Sequence, residues 1–301
     1  MAKKQVTFAD IAEYTGFSKT TISRYFNHPD SLTLENQEKI AKALDELGYR
    51  KNKLARVLAN GKSEFVGIIV PNLYLHYYSE MLTQLLRSYS DYHYKFLVFV
   101  SDGDPEKEMQ YLDELMAYKI EGLIVLSHTL SSEKLASYNI PVIAIEREAE
   151  HICSVTTDNY MGSMQATSLL IRNQCDVLIH INVHVPENIP AYDRIRAFEE
   201  TCREYHVPYE LNLNVSGDSY QELFEQMRVI FQDIDSKYSG QKKGIFLSND
   251  TYANIFLNLI FQKYNCLPDE YQIIGFDNSP IAAESIIPIT TIGQQIDVIA
   301  Q

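Results

Sequence analysis

Between residues 64 and 301 seven short apolar runs recur: FVGIIV, KFLVFV, GLIVLS, PVIAIE, VLIHIN, GIFLSN and YQIIGFD. Segments with helical spacing lie between most of them, and the pattern predicts helices over 78–89, 105–118, 160–172, 192–205, 220–234 and 252–264. Near-continuous apolar strands that alternate with helices form parallel sheets covered on both faces. Two such sets of strands imply two lobes with a cleft between them. The expected fold class is therefore α/β. No G-x-G-x-x-G follows the first run, which leaves a dinucleotide-binding fold of that kind unsupported. None of the runs approaches the ~20 residues that a membrane-spanning helix needs. The opening MAKKQVTFAD lacks the apolar stretch of a secretory signal.

The first 62 residues differ in charge from the rest. They hold eleven Lys and Arg against seven Asp and Glu, a balance of +4, whereas the whole chain carries -14 and the remainder therefore -18. A basic head on an acidic body points to a polyanionic partner for the head alone. Thr7-Phe-Ala-Asp10 reads as a capping box that opens a short helix with Phe8, Ile11 and Ala12 facing inward. Gly16 supplies a turn, and Ser18 caps a second helix. On that helix Ile22, Tyr25 and Phe26 share one side, while Thr20, Ser23, Arg24 and Asn27 share the other, with Lys19 at its edge. A third helix begins at Thr33 and runs to about Leu47, where Gly48 ends it. Three short helices with a polar outward face on the second describe a helix-turn-helix unit suited to base edges and phosphates.

The segment VTFADIAEYTGFSKTTISRYFNHPDSLTLENQEKIAKALDELGYRKN resembles the DNA-binding head of the LacI/GalR family of bacterial transcription regulators. The resemblance rests on VT-x-x-D-x-A, G-x-S-x-x-T-x-S-R, the Asn after the second helix, and LGYR-x-N. It implies that Lys19, Thr20 and Arg24 contact DNA, with Arg24 matching a guanine edge, and that Thr21 and Ser23 hold phosphates. The DNA-facing set is Thr7, Ser18, Lys19, Thr20, Thr21, Ser23, Arg24 and Asn27. Residues 49–63 then resemble the family's hinge helix, A-R-x-L, with Leu58 as the apolar wedge that opens a base step in the minor groove. Lys51 stands where the family usually has proline. Gly61-Lys62-Ser63 is not a phosphate loop, because Arg56 occupies the position that needs glycine.

The body also resembles the family's effector-binding core, which is similar to periplasmic sugar-binding proteins. VGIIVPN, SDGDPEKEMQYLDEL, EGLIVL, PVIAIER, TTDN, DRIRAF, LSND, IIGFDN and PITTIGQQ carry the resemblance. It implies effector contacts at Arg194, Asn249 and Asp277 in the second lobe, Asp158 near the crossover, and Tyr77, Tyr78, Ser127 and Arg147 in the first lobe. An arginine and two carboxylates clamp hydroxyl-rich or charged small molecules through charge-assisted hydrogen bonds. Departures from the family line the same cleft: Leu75-His-Tyr-Tyr78, Asn182-Val-His184 and Ser219-Tyr220. Relative to the family, the chain is expected to stop before a last helix and strand.

The domain reading is 1–48 for the helix-turn-helix head, 49–63 for the hinge, and 64–301 for the two-lobed body, with lobes at about 64–158 and 159–289. Four cysteines without a CxxC pair read as free thiols in a reducing cytoplasm. His180 and His184 are four apart but lie along and just after a strand, so a metal site is not expected. No cofactor and no catalytic signature is expected. The resulting expectation is a homodimeric repressor that binds a pseudo-palindromic double-stranded operator under control of a sugar or sugar phosphate, in the cytoplasm and away from membranes. The competing reading is a cytoplasmic small-molecule-binding protein or enzyme with a vestigial head, and a variant of the first places a protein partner on the body surface.

Overall fold

A computed structural model of the chain describes residues 6–49, 63–147, 150–215 and 219–301. Two compact units divide at Ser63. Most of the hinge expectation, Leu58 included, lies outside the described residues.

In the head, α1 (Phe8–Thr15), α2 (Lys19–Asn27) and α3 (Leu34–Glu46) follow one another closely. The capping box forms as expected: the Thr7 amide donates to Asp10 Oδ2 at 2.7 Å, and the Asp10 amide donates to Thr7 Oγ1 at 3.4 Å. Gly16 closes α1 at φ +75°, a left-handed conformation that glycine adopts without strain. Ser18 Oγ accepts the Thr21 amide at 3.1 Å, and Thr33 caps α3 in the same manner. Ile11, Ile22 and Ile40, one from each helix, are fully buried together, with Phe8, Ala12, Tyr25, Phe26, Leu44 and Leu47 packed around them.

The body is built on two five-stranded parallel sheets. The first contains β1 (Phe65–Val70), β2 (Lys95–Val100), β3 (Gly122–Val125), β4 (Val142–Ile145) and β5 (Cys153–Val155), in the order β2-β1-β3-β4-β5. Helices α4 (His76–Arg87), α5 (Tyr89–Tyr92), α6 (Pro105–Ala117) and α7 (Ser132–Ala136) join them. Successive β1 residues point to opposite faces. Ile68 and Val70 therefore pack beneath α4 with Met81 and Leu85, while Ile69 packs beneath α6 with Leu112 and Leu115.

The chain crosses to the second lobe through 156–158 and continues as α8 (Asn159–Arg172), β6 (Val177–Ile181), α9 (Tyr192–Glu204), β7 (Tyr209–Asn212), α10 (Tyr220–Lys237), β8 (Lys243–Leu247), α11 (Asp250–Tyr264), β9 (Tyr271–Asp277), α12 (Pro280–Glu284) and β10 (Thr290–Gly293). The sheet order is β10-β9-β8-β6-β7. After β10 the chain recrosses, and Ile296 of α13 (Ile296–Ile299) is buried in the first lobe beside Ile68 and Met81. The seven expected strands and six expected helices all coincide with observed elements. Three strands were not expected, β5, β7 and β10, and all three are sheet edges.

Candidate functional site

The head presents one polar face. Lys19, Thr20, Arg24 and Asn27 are exposed along α2, and Ser23 is half-buried beside them. Asn27 Nδ2 donates to Ser23 Oγ at 3.3 Å, which orders the far end of that face. Ser18 and Thr21 lie at its start with their hydroxyls 2.9 Å apart. Ser18 caps α2 by accepting the Thr21 amide, and the remaining free N–H groups at that end suit an anion. Thr7 is exposed at the start of α1 with its hydroxyl in the capping box.

In the body, Arg194 lies on the inward side of α9 and is nearly fully buried. Its Nε donates to Asn159 Oδ1 at 2.7 Å and one terminal nitrogen donates to the Ser248 carbonyl at 2.6 Å. The guanidinium stacks on Phe276, 3.7 Å from the ring centroid. Asp277, at the carboxyl end of β9, has its Oδ1 4.0 Å from the guanidinium, at the limit of an ion pair. Burial therefore outweighs Arg194 and pushes the Asp277 carboxyl up to about 8, with nearby Asp250 adding repulsion. Asp250 is fully buried at the start of α11 and is pushed up to about 6 by the same desolvation. It accepts the Ser279 amide at 2.7 Å and the Thr291 hydroxyl at 2.5 Å. Asp277 and Asn278 both have positive φ, +107° and +54°. Such backbone is uncommon outside glycine and concentrates at functional sites.

Tyr77 and Tyr78 approach this group from the first lobe. Burial pushes both phenols up; Glu146 and then Asp277 add to the shift on Tyr77, and Asp277 adds to that on Tyr78 while Arg194 opposes it. The Tyr77 hydroxyl is buried without a hydrogen-bond partner among the described residues. Tyr74 and Leu75 pack onto the hydrophobic core of the second lobe, and His76 Nδ1 lies 2.9 Å from Thr251 Oγ1. Of the segments that depart from the family pattern, Leu75–Tyr78 thus reaches from the first lobe to the second.

Other expected ligand residues are placed differently. Asp158 is exposed and caps α8 by accepting the Met161 amide at 2.9 Å, so it stands apart from Arg194; the buried neighbour is Asn159. Asn249 caps α11 through the Tyr252 amide at 2.8 Å. Arg147 is buried and donates to the carbonyls of Ser127, at 2.5 Å, and Leu130, bracing the loop after β3. The Ser127 hydroxyl is buried without a partner among the described residues. His180 is fully buried on β6, stacked on Phe246 and pushed down to about 3 by desolvation, whereas His184 is exposed, and the two form no pair. Among the described residues no cluster of His, Cys, Asp and Glu could hold a metal ion, and no helix is long and apolar enough to cross a membrane.

Residues 7–52 match the bacterial regulatory proteins of the lacI family, 63–196 the periplasmic binding proteins and sugar binding domain of LacI family, and 170–301 the periplasmic binding protein-like domain. The sucrose operon repressor of Streptococcus mutans is 31% identical over 295 residues, which cover 97% of this chain and 88% of that protein. The chain belongs to the LacI family. The ribose operon repressor of Halalkalibacterium halodurans is 28% identical across 96% of the chain and 86% of that repressor. A periplasmic binding protein/LacI transcriptional regulator from Alkaliphilus metalliredigens, solved with D-xylulofuranose, is 28% identical with a TM-score of 0.70 over 79% of this chain and 86% of that one. The lac repressor dimer solved on its operator superposes with a TM-score of 0.83 over 99% of this chain and 90% of that one; at 20% identity it speaks to fold. The sucrose, ribose and lac proteins among these relatives are repressors, not enzymes.

Sequence reasoning missed Glu146, Thr157, Asn159, Asp250 and Gln294. Each is a polar residue whose partners come from distant parts of the chain. The one local signal was TTDN, where the inward residue is Asn159 and not Asp158.

Proposed function

We propose that this LacI-family regulator represses transcription as a homodimer on a pseudo-palindromic operator, in the bacterial cytoplasm, and that a neutral hydroxyl-rich molecule in the cleft controls it. The observation that carries the DNA reading is the exposed α2 face, Lys19, Thr20, Ser23, Arg24 and Asn27, on a head whose three helices are capped and packed. Leu58 is assigned to the minor groove by the family resemblance. Arg24 is the base-reading residue of this proposal, and a good bidentate contact is worth ~1–3 kcal/mol of discrimination.

Selection of randomised duplex DNA by the 301-residue chain tests the reading. An enriched palindrome supports it. Arg24→Ala is expected to weaken operator binding ~5- to 150-fold while changing random-sequence binding far less. Equal loss on both would remove the base-reading role, and shallow salt dependence of DNA binding would favour a vestigial head.

The ligand class follows from charge. Arg194 already holds Asn159 and the Ser248 carbonyl, and three buried acidic groups, Glu146, Asp250 and Asp277, accompany that single guanidinium, Asp277 keeping its proton until about pH 8. A phosphate would meet more carboxylate than cation. Hydroxyls donate to carboxylates and accept from arginine, so a neutral sugar fits better than the sugar phosphate considered from sequence. Thermal-shift titration with sucrose and ribose, the sugars in the relatives' names, against glucose 6-phosphate separates the two. Stabilisation by the phosphate alone would overturn the neutral-ligand reading.

A further inference from the structure

Six residues close a circuit between the lobes. Glu146, just past the end of β4, accepts the Thr157 amide with one carboxylate oxygen and Asn159 Nδ2 with the other, the latter at 2.9 Å. Asn159 Oδ1 accepts Arg194 Nε at 2.7 Å. Arg194 faces Asp277 at 4.0 Å, and Asp277 Oδ1 accepts Gln294 Nε2 at 2.7 Å. The Thr157 hydroxyl donates to Gln294 Oε1 at 2.6 Å, which completes the ring. Thr157 lies on the crossover between β5 and α8, and Gln294 lies on the crossover between β10 and α13. All but Thr157 are buried.

The direction of the bonds through Asn159 is forced. A guanidinium only donates and a carboxylate only accepts. Asn159 must therefore turn its oxygen to Arg194 and its nitrogen to Glu146. Gln294 turns its nitrogen to Asp277 Oδ1, which leaves its oxygen for the Thr157 hydroxyl. Asn159 is held between Arg194 and Glu146, and Gln294 joins Asp277 to Thr157 on the other crossover. Glu146 itself sits at φ +55°, a conformation that the surrounding bonds hold in place.

We propose that Glu146, Thr157, Asn159 and Gln294 are positioning residues that aim Arg194 and Asp277 and link the pair to both inter-lobe crossovers, so that a ligand engaging the pair changes the angle between the lobes. This rests on reading Arg194 and Asp277 as the ligand-reading pair. A sugar hydroxyl that bonds Asp277 or Arg194 competes with Gln294 or Asn159 and disturbs the crossovers through one intermediate side chain.

The ring is testable without any ligand, so its failure is separate from failure of the sugar reading. Exposed free cysteines lie in each lobe, Cys153 on β5 and Cys266 after α11, while Cys175 and Cys202 are buried. Nitroxide labels on Cys153 and Cys266 of the full chain report the lobe angle by double electron–electron resonance. Thr157→Val and Gln294→Met remove the same bond from opposite ends with little change in shape. Each is expected to broaden the distance distribution roughly twofold, as a loosened hinge does. The double variant is expected to match the larger single one, and Thr157→Ser to match the parent. If one variant does not fold, the other cuts the same bond. Gln294→Met is further expected to move the Asp277 titration upward by carboxyl-carbon NMR, because the donor that favours the carboxylate is gone. Unchanged widths, additive broadening in the double variant, or an unmoved Asp277 titration overturns the proposal.

Discussion

Asp277 converts the site into a measurable pH dependence. Its carboxyl is pushed up to about 8 in the folded body, whereas an unfolded aspartate titrates near ~3.9. The folded state thus holds a proton that the unfolded chain has released over the range between. The associated stability is present in full below ~4 and is lost as pH rises through about 8. At ~1.4 kcal/mol per pH unit the ceiling is ~5–6 kcal/mol. Asp250, pushed to about 6 beside it, loses its proton in the same window, so the two carboxyls act as a pair. An effective dielectric nearer ~20 than ~4 brings the expected contribution of Asp277 down to ~2–4 kcal/mol.

The perturbation is Asp277→Asn. Asparagine tolerates positive φ better than most residues, so the +107° backbone survives the change. It also accepts from Gln294 as the acid does. Urea unfolding from pH 5 to 8.5 is the assay, since an uncharged denaturant leaves the electrostatics unscreened. With 21 tyrosines and no tryptophan, tyrosine fluorescence follows the body transition. The parent should lose stability across the range, and the variant should lose ~2–4 kcal/mol less. The body's general acidity contributes a slope common to both proteins and cancels in the difference. Parallel slopes for parent and variant would refute the assignment of a raised titration to Asp277.

Two further outcomes follow from packing. A Cβ at residue 275 would collide with the Asp250 carboxylate, so Gly275→Ala is expected to reduce body stability by ~2–4 kcal/mol in urea unfolding, and a near-neutral effect would show that Asp250 is free to move. Thiol labelling followed by mass spectrometry should modify Cys153 and Cys266 in the folded chain and leave Cys175 and Cys202 until unfolding; desolvation pushes Cys202 up to about 12, so its early labelling would contradict the packing.

The head could be read closely from sequence because its determinants are local. A Thr seeks a donor three residues on, Gly16 takes a left-handed turn, and one isoleucine per helix fills a small core. The large strands were equally plain, since their apolar runs reflect burial on two faces. β5, β7 and β10 were not, for a common reason. All three are short edge strands of three or four residues, Cys153–Val155, Tyr209–Asn212 and Thr290–Gly293, with none of their residues buried and no apolar run, whereas the fourth edge, β2, is longer and keeps its run KFLVFV. The site fell between these cases. Arg194 and Asp277 belong to motifs on long elements. Gln294 gains its meaning from joining Asp277 to Thr157, the latter 137 residues away in the chain.

Asp158 and Asn159 show how one residue of register separates a cap from a site. An N-cap side chain turns back toward its own helix, as Asp158 does toward Met161, while the next residue takes helical dihedrals and projects from the barrel of the helix. At the start of α8 that projection points to Arg194. Beside Arg194 the chain therefore places an amide, Asn159, and the acidic groups near it are Asp277 and, through Asn159, Glu146. An amide can serve a donor and an acceptor at once, which a carboxylate cannot. That property lets the second lobe's arginine and the first lobe's glutamate share one intermediary.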